Sequence, residues 1–199
     1  ANFLNYVRNG NFNNSFIHRS APGFVIQAGG FLFDNAQGPV AITKNAPVVN
    51  EFKRSNTQGT LAMAKLEGNP DSATNEWFIN LFDNSANLDG QNGGFTVFAQ
   101  VAGQGMSIVE RIARVPVYDL ASTFGNTFNN VPLVNTDGAF SADDFVSINR
   151  VFETQRDLTL VDESLDPNDP ASRVTALTSY FTGGFSLPIR FNGTLYQFI

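Results

Sequence analysis

The stretch Phe16-Ile17-His18-Arg19-Ser20-Ala21-Pro22-Gly23-Phe24-Val25-Ile26-Gln27-Ala28-Gly29-Gly30 decides the fold. Two short extended runs, 16–19 and 24–27, are separated by the turn signal Pro22-Gly23 and closed by a glycine pair. Side chains alternate along a strand, so Val25 and Gln27 point the same way, while His18 and Arg19 point to opposite faces.

Upstream, residues 1–9 read as a helix. Phe3, Leu4 and Val7 share a face, and Gly10 stands where a capping glycine would. No Ser, Thr or Asp precedes the first apolar residue. The chain is therefore expected to begin inside a helix, with an element missing upstream. Opening at Ala1 without Met fits a processed or cut product.

Downstream, residues 34–58 are polar and loop-like. Strands are predicted at 60–65, 76–81 and 95–101, a loop rich in Asn, Asp and Gly at 83–94, and a helix at 107–113 through Ile108, Val109 and Ile112. Residues 145–152 read as a closing strand. Many short strands with two helices indicate a mainly β barrel or sandwich. From residue 153 to 184 the chain reads as an acidic linker and extension around Asp162-Glu163-Ser164-Leu165-Asp166-Pro167. In the last part, 185–199, two apolar runs flank Asn192-Gly193, the strongest short hairpin signal because a type I′ turn needs positive φ at both central residues.

The 199-residue chain suits one domain plus an appendage, and it is long enough to bury a core. Its 20 Phe residues predict a Phe-packed interior. Net charge is −6 with no cluster of Lys and Arg, which argues against a nucleic-acid or acidic-membrane partner. Cys is absent, which removes disulfides, thiolate metal sites and cysteine nucleophiles and leaves the compartment open. No membrane-length apolar run or signal peptide is visible. The acidic run 162–169 lacks the twelve-residue EF-hand pattern and reads as solvated linker. Asn13-Asn14-Ser15 and Asn192-Gly193-Thr194 fit glycosylation sequons, which arise by chance in an Asn-rich chain.

Residues 16–30 resemble the core signature of the cyclophilins: F-H-R, a short turn, P-G-F, an apolar residue, another residue, Q and a glycine pair. Gly59-Thr60-Leu61-Ala62-Met63-Ala64 resembles the family's G-x-L-x-M-A strand. Ser72, Ala73 and Trp77-Phe78-Ile79 resemble its S-x-x-S/A-Q-F-F-I segment. Leu88-Asp89, residues 95–101 and Gly105-Met106-Ser107-Ile108-Val109 follow in order. The resemblance covers roughly residues 1–152, and the segment before Glu51-Phe52 looks more like bacterial members. It implies a cyclophilin-like closed β-barrel with two flanking helices, and peptidyl-prolyl cis-trans isomerase activity on unfolded or flexible chains. No cofactor or metal is implied, since the rotation breaks no bond. The compartment stays open between a bacterial periplasm and a cytoplasm.

An X-Pro bond rotates over a barrier of roughly 18–20 kcal/mol because its C–N bond is partly double. A catalyst must stabilise the twisted amide, whose nitrogen regains a lone pair. A donor aimed at that nitrogen acts in the transition state alone. A guanidinium, always charged and rigidly forked, suits this role. By resemblance Arg19 is the catalytic donor, and Gln27 orients it and bonds the substrate backbone. Phe24, Met63, Phe78 and Leu88 match positions lining the proline slot. Val25 matches a position usually held by Met or another apolar residue, and Ala64 one where a small side chain lets backbone meet substrate. Standing alone, each of these apolar residues would read as plain core.

Three positions depart from the family. Asn87 replaces the Trp that donates a hydrogen bond to cyclosporin, so weak cyclosporin binding is expected. Phe95 stands at the usual His, and Glu76 where Gln is common. His18 reads as structural, because the rotation needs no base. Trp77 should face away from the slot. The departures keep an alternative open: a scaffold that binds proline-containing peptides without turning them over. An adhesion domain with accidental motifs is the remote third reading. Cyclophilins open with two paired strands before the helix. Either those strands are missing from this sequence, or the hairpin over 185–199 fills their place.

Overall fold

In the computed structural model, residues 1–153 are described in full, and residue 154 and the strands 187–191 and 194–198 by their backbone alone. The expected linker beyond 154 and the Asn192-Gly193 turn lie outside the described residues.

Helix α1 (Asn2–Arg8) buries Phe3, Tyr6 and Val7, the i, i+3, i+4 spacing of one face. Tyr6 takes the buried position expected of Leu4, and Leu4 packs at the edge. The helix ends in a Schellman motif: Gly10, at φ +69°, donates to the Val7 carbonyl (3.0 Å), and Asn11 donates to that of Tyr6 (2.9 Å). The run predicted over 16–19 is two strands, β1 (Ser15–Phe16) and β2 (Arg19–Ala21), with a bend at Ile17-His18. A type II turn follows. Gly23 has φ +79°, and Phe24 donates back to Ala21 at 2.9 Å. It leads into β3 (Val25–Ala28).

The polar stretch expected to be loop from residue 34 contains a hairpin, β4 (Phe31–Asp34) and β5 (Gly38–Ala41). Its turn is held by the Asp34 carboxylate, which accepts from the backbone of Ala36 and Gln37. Then come β6 (Thr60–Met63), β7 (Trp77–Asn80) and, inside the expected 83–94 loop, the one-turn helix α2 (Ser85–Leu88). Strand β8 (Val97–Val101) and helix α3 (Gly105–Ala113) lie close to their predicted places. A region without sequence signal folds into β9 (Val117–Tyr118), α4 (Ala121–Phe124) and β10 (Val131–Pro132). The closing strand is split into β11 (Ser147–Ile148) and β12 (Val151–Thr154), and β13 (Leu187–Phe191) and β14 (Thr194–Phe198) complete the order.

The main sheet runs β12-β14-β13-β8-β6-β7-β3-β2, with every neighbouring pair antiparallel. A second sheet runs β11-β1-β4-β5. The fold is mainly β with few helices. One face of the main sheet carries Ile26, Leu61, Ile79 and Ala99, and this core is covered by Phe3, Tyr6 and Val7 of α1 and Val109 of α3. Trp77 belongs to the same core, edge-on to Phe3 and Phe12. A separate Phe-rich core, with Phe16, Phe128 and Phe145 at its centre, lies under the β4–β5 hairpin. The opposite face of β3, β6 and β7 carries the candidate site.

Candidate functional site

Antiparallel register places one residue from each of four strands in a row. Arg19 of β2 pairs with Gln27 of β3, Gln27 with Phe78 of β7, and Phe78 with Ala62 of β6. Directly opposite residues share a face, so this row sets a guanidinium, an amide and an aromatic ring side by side. Arg19 is half-buried, and burial lowers its pKa from the ordinary value. An arginine stays cationic even so. Its Nη1 donates to Gln27 Oε1 at 3.5 Å, and its guanidinium carbon lies 6.0 Å from the centre of the Phe24 ring.

Next to the guanidinium is a small apolar cluster. Val25, Ala62, Phe78 and Leu88 are buried, with Phe24, Ala64, Phe95 and Val97 packed around them. Phe95 meets Phe78 edge-on, with ring centres 5.7 Å apart. The structure thus brings together Arg19, Gln27, Phe24, Val25, Ala64, Phe78, Leu88 and Phe95. Met63 is the exception and requires a correction. Its cross-strand partner is Trp77, whose ring lies in the main core, whereas Ala62 and Ala64 on either side face the cluster. Strand alternation turns Met63 to the other face. Asn87 is exposed on α2, one residue before Leu88.

Sequence reasoning missed the polar scaffold behind this cluster. Asn56, Asn80 and Asn84 are buried. Asn84 Nδ2 donates to the Phe24 carbonyl (2.9 Å) and to Asn80 Oδ1 (2.8 Å), and Asn80 Nδ2 donates to Thr60 Oγ1 (2.9 Å). Asn56 Nδ2 donates to Asp89 Oδ1 (3.0 Å) and to the Phe95 carbonyl (3.2 Å). The network therefore grips the backbone of two aromatic walls. Lys65 was missed as well. Its ammonium sits 4.7 Å from the centre of the Phe95 ring and donates to the carbonyls of Asn92 and Gly94. Asparagine marks turns in a sequence, and nothing in its spacing distinguishes a buried amide from an exposed one.

Beside Gln27 lies Glu76, whose Oε2 accepts from Gln27 Nε2 at 2.8 Å. Burial works to raise the Glu76 carboxyl. The hydrogen bond and charge of His18, the hydrogen bond of Gln27 and the charge of Lys44 outweigh it, so its pKa lies below the ordinary value. His18 is fully buried, with Nε2 3.4 Å from Glu76 Oε2. Among the described residues no group of three or more His, Asp or Glu could hold a metal ion, and no helix is long and apolar enough to cross a membrane.

Residues 1–136 match the family described as cyclophilin type peptidyl-prolyl cis-trans isomerase/CLD. A peptidyl-prolyl cis-trans isomerase of Acinetobacter baylyi is 42% identical over 134 residues, which are 66% of this chain and 65% of that protein. Peptidyl-prolyl cis-trans isomerase B of Escherichia coli is 42% identical over 120 residues, 57% of this chain and 70% of that one. Among solved structures, a Cryptosporidium parvum cyclophilin-type isomerase crystallised in the presence of the dipeptide Ala-Pro aligns at a TM-score of 0.45 and 20% identity, covering 65% of this chain and 75% of that one. The chain thus spans just under two thirds of the Acinetobacter relative's length.

Proposed function

Since the chain belongs to the cyclophilin-type peptidyl-prolyl cis-trans isomerase family, we propose that it accelerates rotation about X-Pro bonds in unfolded or flexible polypeptides. The observation that carries this reading is the row Arg19–Gln27–Phe78 beside an apolar cluster. A proline ring seated against Phe24, Phe78 and Leu88 leaves its amide nitrogen near the Arg19 guanidinium. As the bond twists, the nitrogen pyramidalises and accepts a hydrogen bond that the planar amide cannot. The interaction grows only towards the transition state, so it raises the rate rather than the affinity. Gln27 holds Arg19 and offers the substrate backbone a partner. With Asn87 at the rim in place of an indole donor, cyclosporin binds weakly.

Proline-limited refolding of a test protein decides the matter. Wild type should accelerate the slow phase, and Arg19→Ala should lose about a hundredfold of that effect, the worth of one transition-state donor. Equal acceleration by both proteins would remove Arg19 from the mechanism. Peptide binding without acceleration by wild type would leave the alternative, a proline-binding scaffold, which the departures at Glu76, Asn87 and Phe95 favour.

The same reading extends to a closed barrel. Only two residues separate β1 from β2 and β11 from β12, and β1 pairs with β11 while β12 pairs with β14. Following the ladders from β12 through β14, β13, β8, β6, β7 and β3 to β2, and then along the chain to β1, returns to β11. What supports closure is this return. The hairpin of β13 and β14 supplies the two strands between β8 and β12, the place that the family's opening strands would fill.

A further inference from the structure

Glu76 is the departure from the family that touches the partner of the guanidinium, and its surroundings are specific. Its Oε2 accepts from Gln27 Nε2 at 2.8 Å, while Gln27 Oε1 accepts from Arg19 Nη1 at 3.5 Å. On its other side stands the buried His18 ring, with Nε2 at 3.4 Å. Neither ring nitrogen of His18 has any other polar partner among the described residues, so the imidazole rests against this carboxylate. Gly30 makes the room. A Cβ there would come within 3.2 Å of both the Glu76 carboxyl carbon and His18 Cε1. The charged and titratable groups acting on Glu76 are therefore His18 from the bend before β2, Lys44 after β5, and Arg19 through Gln27.

A primary amide can be turned by half a rotation, which exchanges its acceptor and donor ends. An ionised carboxylate only accepts, so it admits the NH2 end alone. The oxygen is then left for Arg19. A glutamine at position 76 could donate or accept, and would tolerate the reversed amide, which turns an NH2 towards the guanidinium. We propose that Glu76 is a positioning residue: its carboxylate, backed by His18, locks the Gln27 amide with its oxygen towards Arg19. The proposal rests on the isomerase reading of the row and goes beyond it by assigning what keeps the donor aimed.

The test is a double-mutant cycle on the full chain, with wild type, Glu76→Gln, Gln27→Ala and the double variant. Isomerisation of an Ala-Pro-containing peptide is followed by two-dimensional exchange NMR, which separates kcat from KM. Glu76→Gln should lower kcat about fivefold to tenfold, the worth of one hydrogen bond, with KM unchanged. In the Gln27→Ala background the same change should cost nothing further. An unchanged kcat, or an equal loss in both backgrounds, would overturn the proposal. A second measurement uses the wild type alone: the Gln27 side-chain NH2 protons should show cross-relaxation to the Glu76 side chain and none to the Arg19 guanidinium. The reverse pattern also overturns it, even where a variant folds poorly. Should wild type fail to isomerise the peptide, the enzyme reading falls, while this spectrum still decides the amide's orientation.

Discussion

Asn80 is a buried amide at the end of β7 that sits between three partners. It accepts from Asn84, donates to Thr60 and lies 3.4 Å from the Asn56 oxygen. Its own cross-strand partner is Val25, a member of the apolar cluster. Replacing it with Leu keeps the branched shape but leaves one Asn84 Nδ2 proton and the Asn56 Oδ1 acceptor without the partner that Asn80 supplies, and each such orphan costs about 1–3 kcal/mol. Asn80→Leu should therefore lower the unfolding free energy by at least about 2 kcal/mol, read from urea denaturation. It should also loosen Phe24, whose carbonyl Asn84 holds. At this scale the sequence was legible where a residue's face followed from simple alternation. Val25 and Gln27 share a face as two-residue spacing requires. The same rule, applied to Ala62, Met63 and Ala64, excludes Met63 from the apolar cluster, and only the ladder with β7 reveals which parity faces it. The buried asparagines carried no signal, because their partners lie 20 or more residues away for all but the Asn80–Asn84 pair.

Helix α1 illustrates what an element needs from its flanks. It is only seven residues long, and isolated helices of that length do not persist in water. Tertiary burial of Phe3, Tyr6 and Val7 and the Schellman motif at Gly10 hold it. At φ +69° a side chain is strained, and a Cβ at Gly10 would also press on Asn13 Nδ2 at 3.1 Å. Gly10→Ala should cost about 1 kcal/mol or somewhat more, seen as a lower midpoint in thermal unfolding with the refolding test activity intact. This helix was legible because spacing and capping glycine agree. The β4–β5 hairpin was not. Its turn runs from Asp34 to Gly38, at φ +81°, without an Asn-Gly or Asp-Gly dipeptide, and it is held by an Asp34 carboxylate turn and the Phe cluster beneath. β9 and β10 have two residues each, too short for any period to register, and their pairing is imposed from outside.

The whole molecule depends on pairings between distant parts of the chain. Ser15 pairs with Ile148, and Val101 with Ile189. Removing residues 183–199 would strip the β13 ladder from β8 and the β14 ladder from β12 at once, leaving two bare edges. The truncated chain should lose its cooperative thermal transition and aggregate. An unchanged melting temperature would show that residues 1–154 fold without the hairpin. The sequence made a strand-rich fold legible, but the order of the strands in the sheets rests on pairings between residues far apart in the chain, such as Ser15 with Ile148 and Val101 with Ile189, and leaves no local trace.

The order of the strands along the chain has a consequence during synthesis. Residues 1–154 leave the ribosome first, and domains form from the N-terminal side as they emerge. Until 187–198 follow, β8 and β12 wait with their backbone donors and acceptors open to any passing extended segment. A nascent chain of this protein thus passes through an interval in which its long-range pairings are incomplete and it needs protection itself. The length of that interval is set by how fast the ribosome delivers β13 and β14.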